Sequence, residues 1–388
     1  MNFELSEEQI SIQQAIQQLC AKFDDDYWLA HDKSGEFPEE FVKQIVDGGW
    51  LGIAMPEAYG GSGLGISETA VLAHTIARSG AGMSGASAVH LNLFGPNPIV
   101  VFGTEEQKQE FLPRLIKGQD RACFGVTEPD AGLNTTRLAT RAVRNGDHYV
   151  VNGRKLWTTT AQTANKILLI TRTTDLDQCK KPTEGLSLFY TDLDRDKIEV
   201  RLIEKMGRKA VDSNALFIDD LIVPADHRIG EEGQGWKYLL HGLNPERILI
   251  AAEAIGLGQV ALERASRYAQ ERIVFDRPIG KNQAIQHPLA VNWMELEAAH
   301  LMAFKAASLY DRGQPCAAEA NSAKYLAAEA ALSACQRAVL THGGMGYAKE
   351  YHVERYLREI MIPVIAPISQ ELVKSFIAEQ VLGQVKSY

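Results

Sequence analysis

Residues 140–160 read Thr-Arg-Ala-Val-Arg-Asn-Gly-Asp-His-Tyr-Val-Val-Asn-Gly-Arg-Lys-Leu-Trp-Thr-Thr-Thr, and this stretch decides the fold class. Two Asn-Gly pairs, Asn145-Gly146 and Asn152-Gly153, stand between alternating or β-branched runs at 140–143, 148–151 and 155–160. Asn-Gly is the strongest short-range hairpin signal, because a type I′ turn needs positive φ at both central residues. Short strand-like runs follow at 166–171, 186–191, 198–203 and 215–222. An antiparallel β domain over residues 121–230 is therefore expected.

On either side the period changes from two to 3.6. Upstream, Leu5, Ile10, Ile12, Ile16 and Leu19 recur at helical spacing behind Ser6, an expected N-cap with Glu7 and Glu8 in the first turn. Phe37-Pro38-Glu39-Glu40 opens a second helix through Ile45 and Val46. Four glycines between Pro56 and Gly65 make a loop. A helix over 67–77 follows, and Thr104-Glu-Glu caps another. Downstream, residues 248–269, 284–310, 317–340 and 369–382 are alanine-rich, long and helically periodic, the pattern of a four-helix bundle. The expected fold class is α+β, with a helical N-terminal domain (1–120), a central antiparallel β domain (121–230) and a C-terminal helical bundle (231–388). The order helical, β, helical excludes the βαβ alternation of a nucleotide-binding sheet.

A length of 388 residues fits two or three domains, and 23% charged residues among 45% hydrophobic ones exclude wholesale disorder. A net charge of −9 argues against nucleic acid or an anionic membrane as the main partner. The cysteines, Cys20, Cys123, Cys179, Cys316 and Cys335, are odd in number, scattered and without C-x-x-C. They read as reduced thiols in a cytoplasmic protein. The N-terminus lacks the basic and apolar regions of a secretory signal, and no apolar run reaches the ~18 residues of a membrane span. The histidines show no metal-ligand spacing, so no metal is expected.

Gly256-Leu-Gly258-Gln-Val-Ala261 matches a dinucleotide fingerprint, but no strand precedes it, and close helix packing is the better reading. His342-Gly-Gly-Met-Gly-Tyr347 reads as a tight inter-helix turn with bare backbone for a ligand. At Asn244-Pro245-Glu246-Arg247, Asn244 as N-cap and Pro245 at the first helical position would start or restart a helix. Glu246 is then either a charge complementing the helix dipole or a general base in an apolar cleft. Desolvation would raise its pKa, while the helix N-terminus and Arg247 would lower it. On spacing alone the dipole reading, with Arg247 solvated, is the favoured one.

Five motifs together resemble the acyl-CoA dehydrogenase family along nearly the whole chain. They are Phe124-Gly-Val-Thr-Glu-Pro-Asp-Ala-Gly132, Gly153-Arg-Lys-Leu-Trp-Thr-Thr159, Val223-Pro224 with Gly230, Gly233 and Gly235, Glu271-Arg272 through Phe275 to Pro278-Ile279 and Gln283, and His342 to Tyr347. The resemblance implies the same three-part fold. It also implies FAD between the β domain and the bundle, completed by another subunit of a homotetramer. Phe124, Val126 and Thr127 would line the flavin ring, Trp157 would lie beside it and Thr159 would face N5. Arg272, Phe275, Gln283, Gly343, Gly344 and Gly346 would serve another subunit's FAD. The sequence departs from the family pattern at Leu133, Asn134, Asp276, Leu340 and Ile368. Ala366 stands where many members carry their catalytic glutamate, and Glu246-Arg247 matches the alternative base position of the isovaleryl-CoA and long-chain branch.

This match tips Glu246 toward the catalytic reading. The expected activity is FAD-dependent α,β-dehydrogenation of an acyl-CoA, with Glu246 removing the α-proton and the β-hydride passing to flavin N5. Arg247 would position Glu246, and the Ala366 backbone N–H would support the thioester oxygen. Electron-transfer flavoprotein is the implied acceptor. Three alternatives stay open: desulfinase-like acyl-CoA chemistry, a flavin oxidase or monooxygenase, and a non-catalytic flavin-binding partner.

Overall fold

Helix caps and small-residue faces build the N-terminal part. The computed structural model describes residues 4–386. Helix α1 (Glu7–Cys20) starts at Ser6, whose Oγ accepts from the Gln9 N–H while Gln9 Oε1 accepts from the Ser6 N–H, both at 3.1 Å. This reciprocal capping box satisfies two backbone donors that the first turn would otherwise leave unpaired. Helices α2 (Asp25–Ser34), α3 (Glu39–Asp47), α4 (Ile66–Ile76), α5 (Gly82–Phe94), α6 (Asn97–Phe102) and α7 (Glu105–Ile116) follow, and Thr104 caps α7 as expected. Helix α2 carried little apolar period and went unread. Helix α5 is made largely of Gly, Ser and Ala, and all its residues except Leu91 are buried. Its small side chains let the bundle and the β domain both approach closely, and this places α5 at the centre of the molecule.

The middle part is one sheet of strands β1 (Ala122–Gly125), β2 (Arg141–Asn145), β3 (His148–Thr159), β4 (Lys166–Arg172), β5 (Leu186–Asp192), β6 (Ile198–Leu202), β7 (Ser213–Pro224) and β8 (Arg228–Ile229). The order is β6-β7-β3-β2-β4-β5-β8, antiparallel except that β1 and the end of β2 run parallel to β4. Of the two Asn-Gly pairs, only Asn145-Gly146 is a hairpin turn, joining β2 to β3. Asn152-Gly153 lies inside β3 at a register shift against β7. Gly153 has φ 155°, and a Cβ there would press on Thr140. The glycine serves a bulge and a close strand approach, which draw on the same residue type as a turn.

The C-terminal part is built on α8 (Gly235–Glu271), α9 (Gln283–Asp311) and α10 (Ala317–His342). Alanines 320, 323, 327, 331, 334 and 338 form a buried stripe on α10. A Cβ on Gly258 would lie 2.9 Å from Ala331 Cα, and one on Gly256 would fall on the His74 carbonyl. The Gly256-Leu-Gly258 pattern is thus helix packing. The fourth position is filled by short helices α11 (Val353–Glu359), α12 (Met361–Ile365) and α13 (Gln370–Phe376). The helix expected over 369–382 starts at Gln370 behind the Ser369 cap and runs to Val381, its last part, Ile377–Val381, in wider π-helical geometry. Segment 353–381 holds an apolar window of mean hydropathy 1.4, but non-helical backbone at Ala366-Pro367-Ile368 divides it.

Candidate functional site

Helix α8 does not start at Pro245; it runs unbroken from Gly235 for 37 residues with Pro245 inside it. The N-cap reading of Asn244 is corrected. Its Oδ1 accepts instead from Arg247 Nη1 at 3.1 Å. Glu246 therefore has no helix N-terminus beside it, and the dipole account of this residue loses its basis. The carboxylate is half-buried and makes no hydrogen bond among the described residues. Burial pushes its pKa above the ordinary carboxylate range, with Glu253 adding to the rise, while His90 and Arg247 oppose it. Arg247 is itself pulled down by burial, and its Nε is buried without a partner.

Helix α5 faces this part of α8. His90 Nδ1 lies 2.6 Å from Glu253 Oε1, an almost fully buried pair. The His90 ring packs edge-on to Phe94 at 4.7 Å, and Phe94 meets Phe124 of β1 at 5.7 Å. A chain of three rings thus connects the Glu246 region to the first expected flavin-lining residue.

On the β domain, Phe124, Val126 and Thr127 are partly exposed, whereas Cys123 and Gly125 between them are buried. The second register shift in β3 falls between Lys155 and Thr158 and turns Trp157 outward, with φ 61° and its side chain 55% exposed. Thr159 stands half-buried beside it. Positive φ at a tryptophan is costly backbone, and strain of this kind collects at functional sites. Beneath, Lys155 Nζ donates to Glu128 Oε1 at 2.8 Å and to the Val126 carbonyl at 3.2 Å. Glu128 also accepts from the N–H groups of Ala139 (2.6 Å) and Thr140 (3.0 Å). Burial would raise the Glu128 carboxyl, but Lys155 and these donors outweigh it and hold the group low. Burial draws Lys155 down to about 8 against the pull of Glu128. The pair ties the end of β1 to β3, where the Leu156 N–H also donates to the Thr127 carbonyl at 2.8 Å. Both residues lie inside quoted motifs, yet only the structure shows this bracing.

The remaining expected cofactor residues lie elsewhere. Arg272 and Phe275 follow the end of α8 in a small hairpin of β9 (Ile273–Val274) and β10 (Arg277–Pro278), and Gln283 opens α9. Between Glu246 and Arg272, 26 helical residues span about 39 Å. Arg272 and its neighbours thus stand at the far end of α8 from Glu246. Phe275 has φ 52° and is 93% exposed, and the exposed Arg272 guanidinium makes no ion pair among the described residues. Cβ atoms at Gly343 and Gly344 would meet nothing within 4 Å, so backbone there is open to close approach. Gly346 differs: a Cβ would fall on the Val339 carbonyl, and this glycine packs the turn against α10. An arginine free for phosphate, bare glycine backbone and two aromatic rings presented on strained backbone fit FAD, in two halves. Leu133 and Leu340, apolar in usually polar places, stand 66% and 67% exposed.

Ala366 follows α12, and its N–H donates to the Ile362 carbonyl at 2.8 Å as the helix cap. In this structure the N–H expected to support the thioester oxygen is held by the Ile362 carbonyl. The loop is pinned by Lys324, whose buried Nζ donates to the Ile368 carbonyl (2.6 Å) and to Gln370 Oε1 (3.1 Å). Sequence reasoning missed His90, Glu253, Lys155, Glu128 and Lys324. Glu253 did leave a signal, as the one charged residue of the apolar run 248–262, seven residues after Glu246. Among the described residues no group of three His, Cys, Asp or Glu side chains is placed to hold a metal.

Comparison with known proteins covers nearly the whole chain. Residues 6–119, 123–221 and 233–382 match the models of the acyl-CoA dehydrogenase N-terminal, middle and C-terminal domains. A protein of Bacillus subtilis named probable acyl-CoA dehydrogenase YngJ is 38% identical over 98% of this chain and 100% of its own length. The CarC subunit of the caffeyl-CoA reductase-Etf complex of Acetobacterium woodii is 35% identical over 85% of this chain and 86% of its own. The structure of butyryl-CoA dehydrogenase from Megasphaera elsdenii superposes with a TM-score of 0.93 at 29% identity, over 98% of this chain and 100% of that one.

Proposed function

This chain belongs to the acyl-CoA dehydrogenase family, and on that premise we propose that it oxidises an acyl-CoA between Cα and Cβ with Glu246 as the base. One observation carries the reading: the carboxylate at 246 is half-buried and unbonded among the described residues, on α8, which packs against α5, whose Phe94 meets Phe124 of β1, and burial raises its pKa. A base that must take a proton from a weak carbon acid gains from such a raised pKa, provided it stays ionised at working pH.

FAD is the cofactor of the family, and when bound it accepts the β-hydride. The chain does the rest. Glu246 takes the proton from Cα as the Cα–H bond breaks, and that electron pair becomes the Cα=Cβ bond as hydride leaves Cβ. Arg247, held by Asn244, keeps a positive charge beside the base. Trp157 and Thr159 cover the flavin edge, and the Lys155–Glu128 brace fixes the strand pair that presents them.

The separation of about 39 Å along α8 between Glu246 and Arg272 supports a homo-oligomer in which Arg272, Phe275, Gln283, Gly343 and Gly344 complete a second subunit's FAD site. A tetramer is the form we adopt. Electron-transfer flavoprotein is the acceptor we favour, in keeping with the relative named as part of an Etf complex. The free cysteines suit a reducing compartment such as the cytoplasm.

The test is an anaerobic titration of the FAD-loaded protein with straight, branched and aryl-substituted acyl-CoAs. Bleaching of the flavin band by one class is the expected result and gives the substrate. A bound flavin that no thioester bleaches overturns the proposal.

A further inference from the structure

We propose that His90 and Glu253 form a built-in counter-charge for Glu246, with His90 as a positioning residue that keeps the base carboxylate ionised in its cleft. The proposal rests on the reading of Glu246 as the base. Glu253 sits two turns beyond Glu246 on α8, in an otherwise apolar run and with no exposure. An isolated carboxylate there would be prohibitively desolvated. Its one hydrogen-bond partner is His90 Nδ1 at 2.6 Å, and its second oxygen, Oε2, is buried with no partner at all. A buried ion left half-satisfied is poor engineering for stability alone, since apolar residues of similar volume would serve a core as well or better. Both requirements are met if the pair is kept for its charge. Glu253 fixes Nδ1–H as the donor and holds the ring as imidazolium. Nε2 of that ring makes no hydrogen bond among the described residues.

The charges around the pair come from three elements. From α8, Glu246 and Glu253 both favour a charged His90, and Arg247 adjoins Glu246. From the loop between β6 and β7, Arg208 reaches α5, with Nη1 on Ser87 Oγ at 3.1 Å and Nη2 near Ser213 Oγ at 3.5 Å, and it opposes that charge. From α5, His90 is the titratable group. Two carboxylates against one guanidinium leave the imidazolium favoured, and burial alone does not reverse this. Cys316 bears on Arg247 rather than on Glu246, and so does Lys324. His90 is thus the leading influence that lowers the Glu246 pKa against burial. The ring cannot swing away, because Phe94 packs edge-on against it.

The experiment follows the pH dependence of anaerobic flavin reduction in the FAD-loaded enzyme, with the acyl-CoA that bleaches it, for wild type, His90→Gln and Glu253→Gln. At an effective dielectric of ~20, losing a unit charge moves a carboxylate's titration by roughly two pH units at ~6 Å and roughly one at ~12 Å. The acid limb of His90→Gln should move up by an amount in that range, with the high-pH plateau kept within severalfold. Glu253→Gln removes a carboxylate and the reason for the imidazolium together, so its limb should move less. A lowered plateau with an unmoved limb means a packing role only and overturns the proposal.

A second readout does not depend on the base. In histidine-labelled holoenzyme, the ring resonance that disappears in His90→Gln should stay at the imidazolium position through pH 7 in wild type and move to the neutral position in Glu253→Gln. A wild-type His90 that is neutral at pH 7 overturns the counter-charge whatever Glu246 does. A charged His90 together with wild-type flavin reduction in Glu246→Gln would show instead that the base assignment is what failed.

Discussion

Replacing Lys155 by Met should destabilise the middle domain and loosen the flavin edge in one step. The Lys155 side chain has no exposure and its Glu128 partner only 7%, so Met fills the volume and leaves the carboxylate without its ion. Removing one member of a buried pair costs about 3–5 kcal/mol. The N–H groups of Ala139 and Thr140 stay on Glu128 and keep the loss near the low end, ~3 kcal/mol, even though the Val126 carbonyl loses its donor as well. At roughly 2.1 cal/mol/K per residue, a chain of this length unfolding as one unit has an entropy near 0.8 kcal/mol/K, so the thermal midpoint should fall by about 4 °C.

The pH dependence identifies the cause. In wild type the folded-state pKa of Glu128 is depressed, so its contribution is present above the ordinary 4.5 and fades as pH falls through the lower folded value. Without the ammonium, burial raises that folded pKa, and the variant's deficit shrinks as pH drops through 4.5. Folded Lys155 itself loses its proton near 8, below its unfolded value, so wild type gains stability as pH rises past 8 and the variant's deficit widens there. The assay is thermal unfolding of the two proteins between pH 4 and pH 9, with FAD retention measured in parallel. A deficit below 1 kcal/mol, or one that does not change with pH, would refute the bracing role.

Two glycines of one turn should behave in opposite ways. Gly346→Ala places its Cβ on the Val339 carbonyl and should cost about 1–3 kcal/mol in a denaturant titration, whereas Gly344→Ala meets nothing and should leave stability unchanged while weakening FAD retention on gel filtration. Arg272→Gln changes an exposed side chain without an ion pair, so the unfolding midpoint of the apoprotein should hold while FAD affinity falls in a fluorescence titration. Because burial raises the Glu246 pKa, flavin reduction by acyl-CoA should lose rate as pH falls through a value above 4.5, and a pH profile flat down to 4.5 would contradict this.

The outline of the fold was legible because its signals are local. Ser6 and Thr104 cap helices as their neighbours dictate, and the alanine spacing of α10 marks its buried stripe. Local signals also misled where one residue type serves two geometries. Asn152-Gly153 reads as a turn but bulges within a strand, and Asn244-Pro245 reads as a helix start but lies mid-helix, where packing on both sides overrides the proline. The candidate base at 246 was legible only through resemblance. Its surroundings were not: His90 and Glu253 lie 163 positions apart and meet only because α5 crosses α8. The commitment of the Ala366 N–H to Ile362 likewise depends on a helix ending that no pattern around Ala366 announces.

The most direct test of the central claim is single-turnover flavin bleaching, under anaerobic conditions and saturating acyl-CoA, in wild type and Glu246→Gln. Glutamine keeps the shape and removes the base, so the account predicts a loss of about 10²–10⁴-fold in the bleaching rate with substrate still bound. A Glu246→Gln protein that bleaches at the wild-type rate would contradict it.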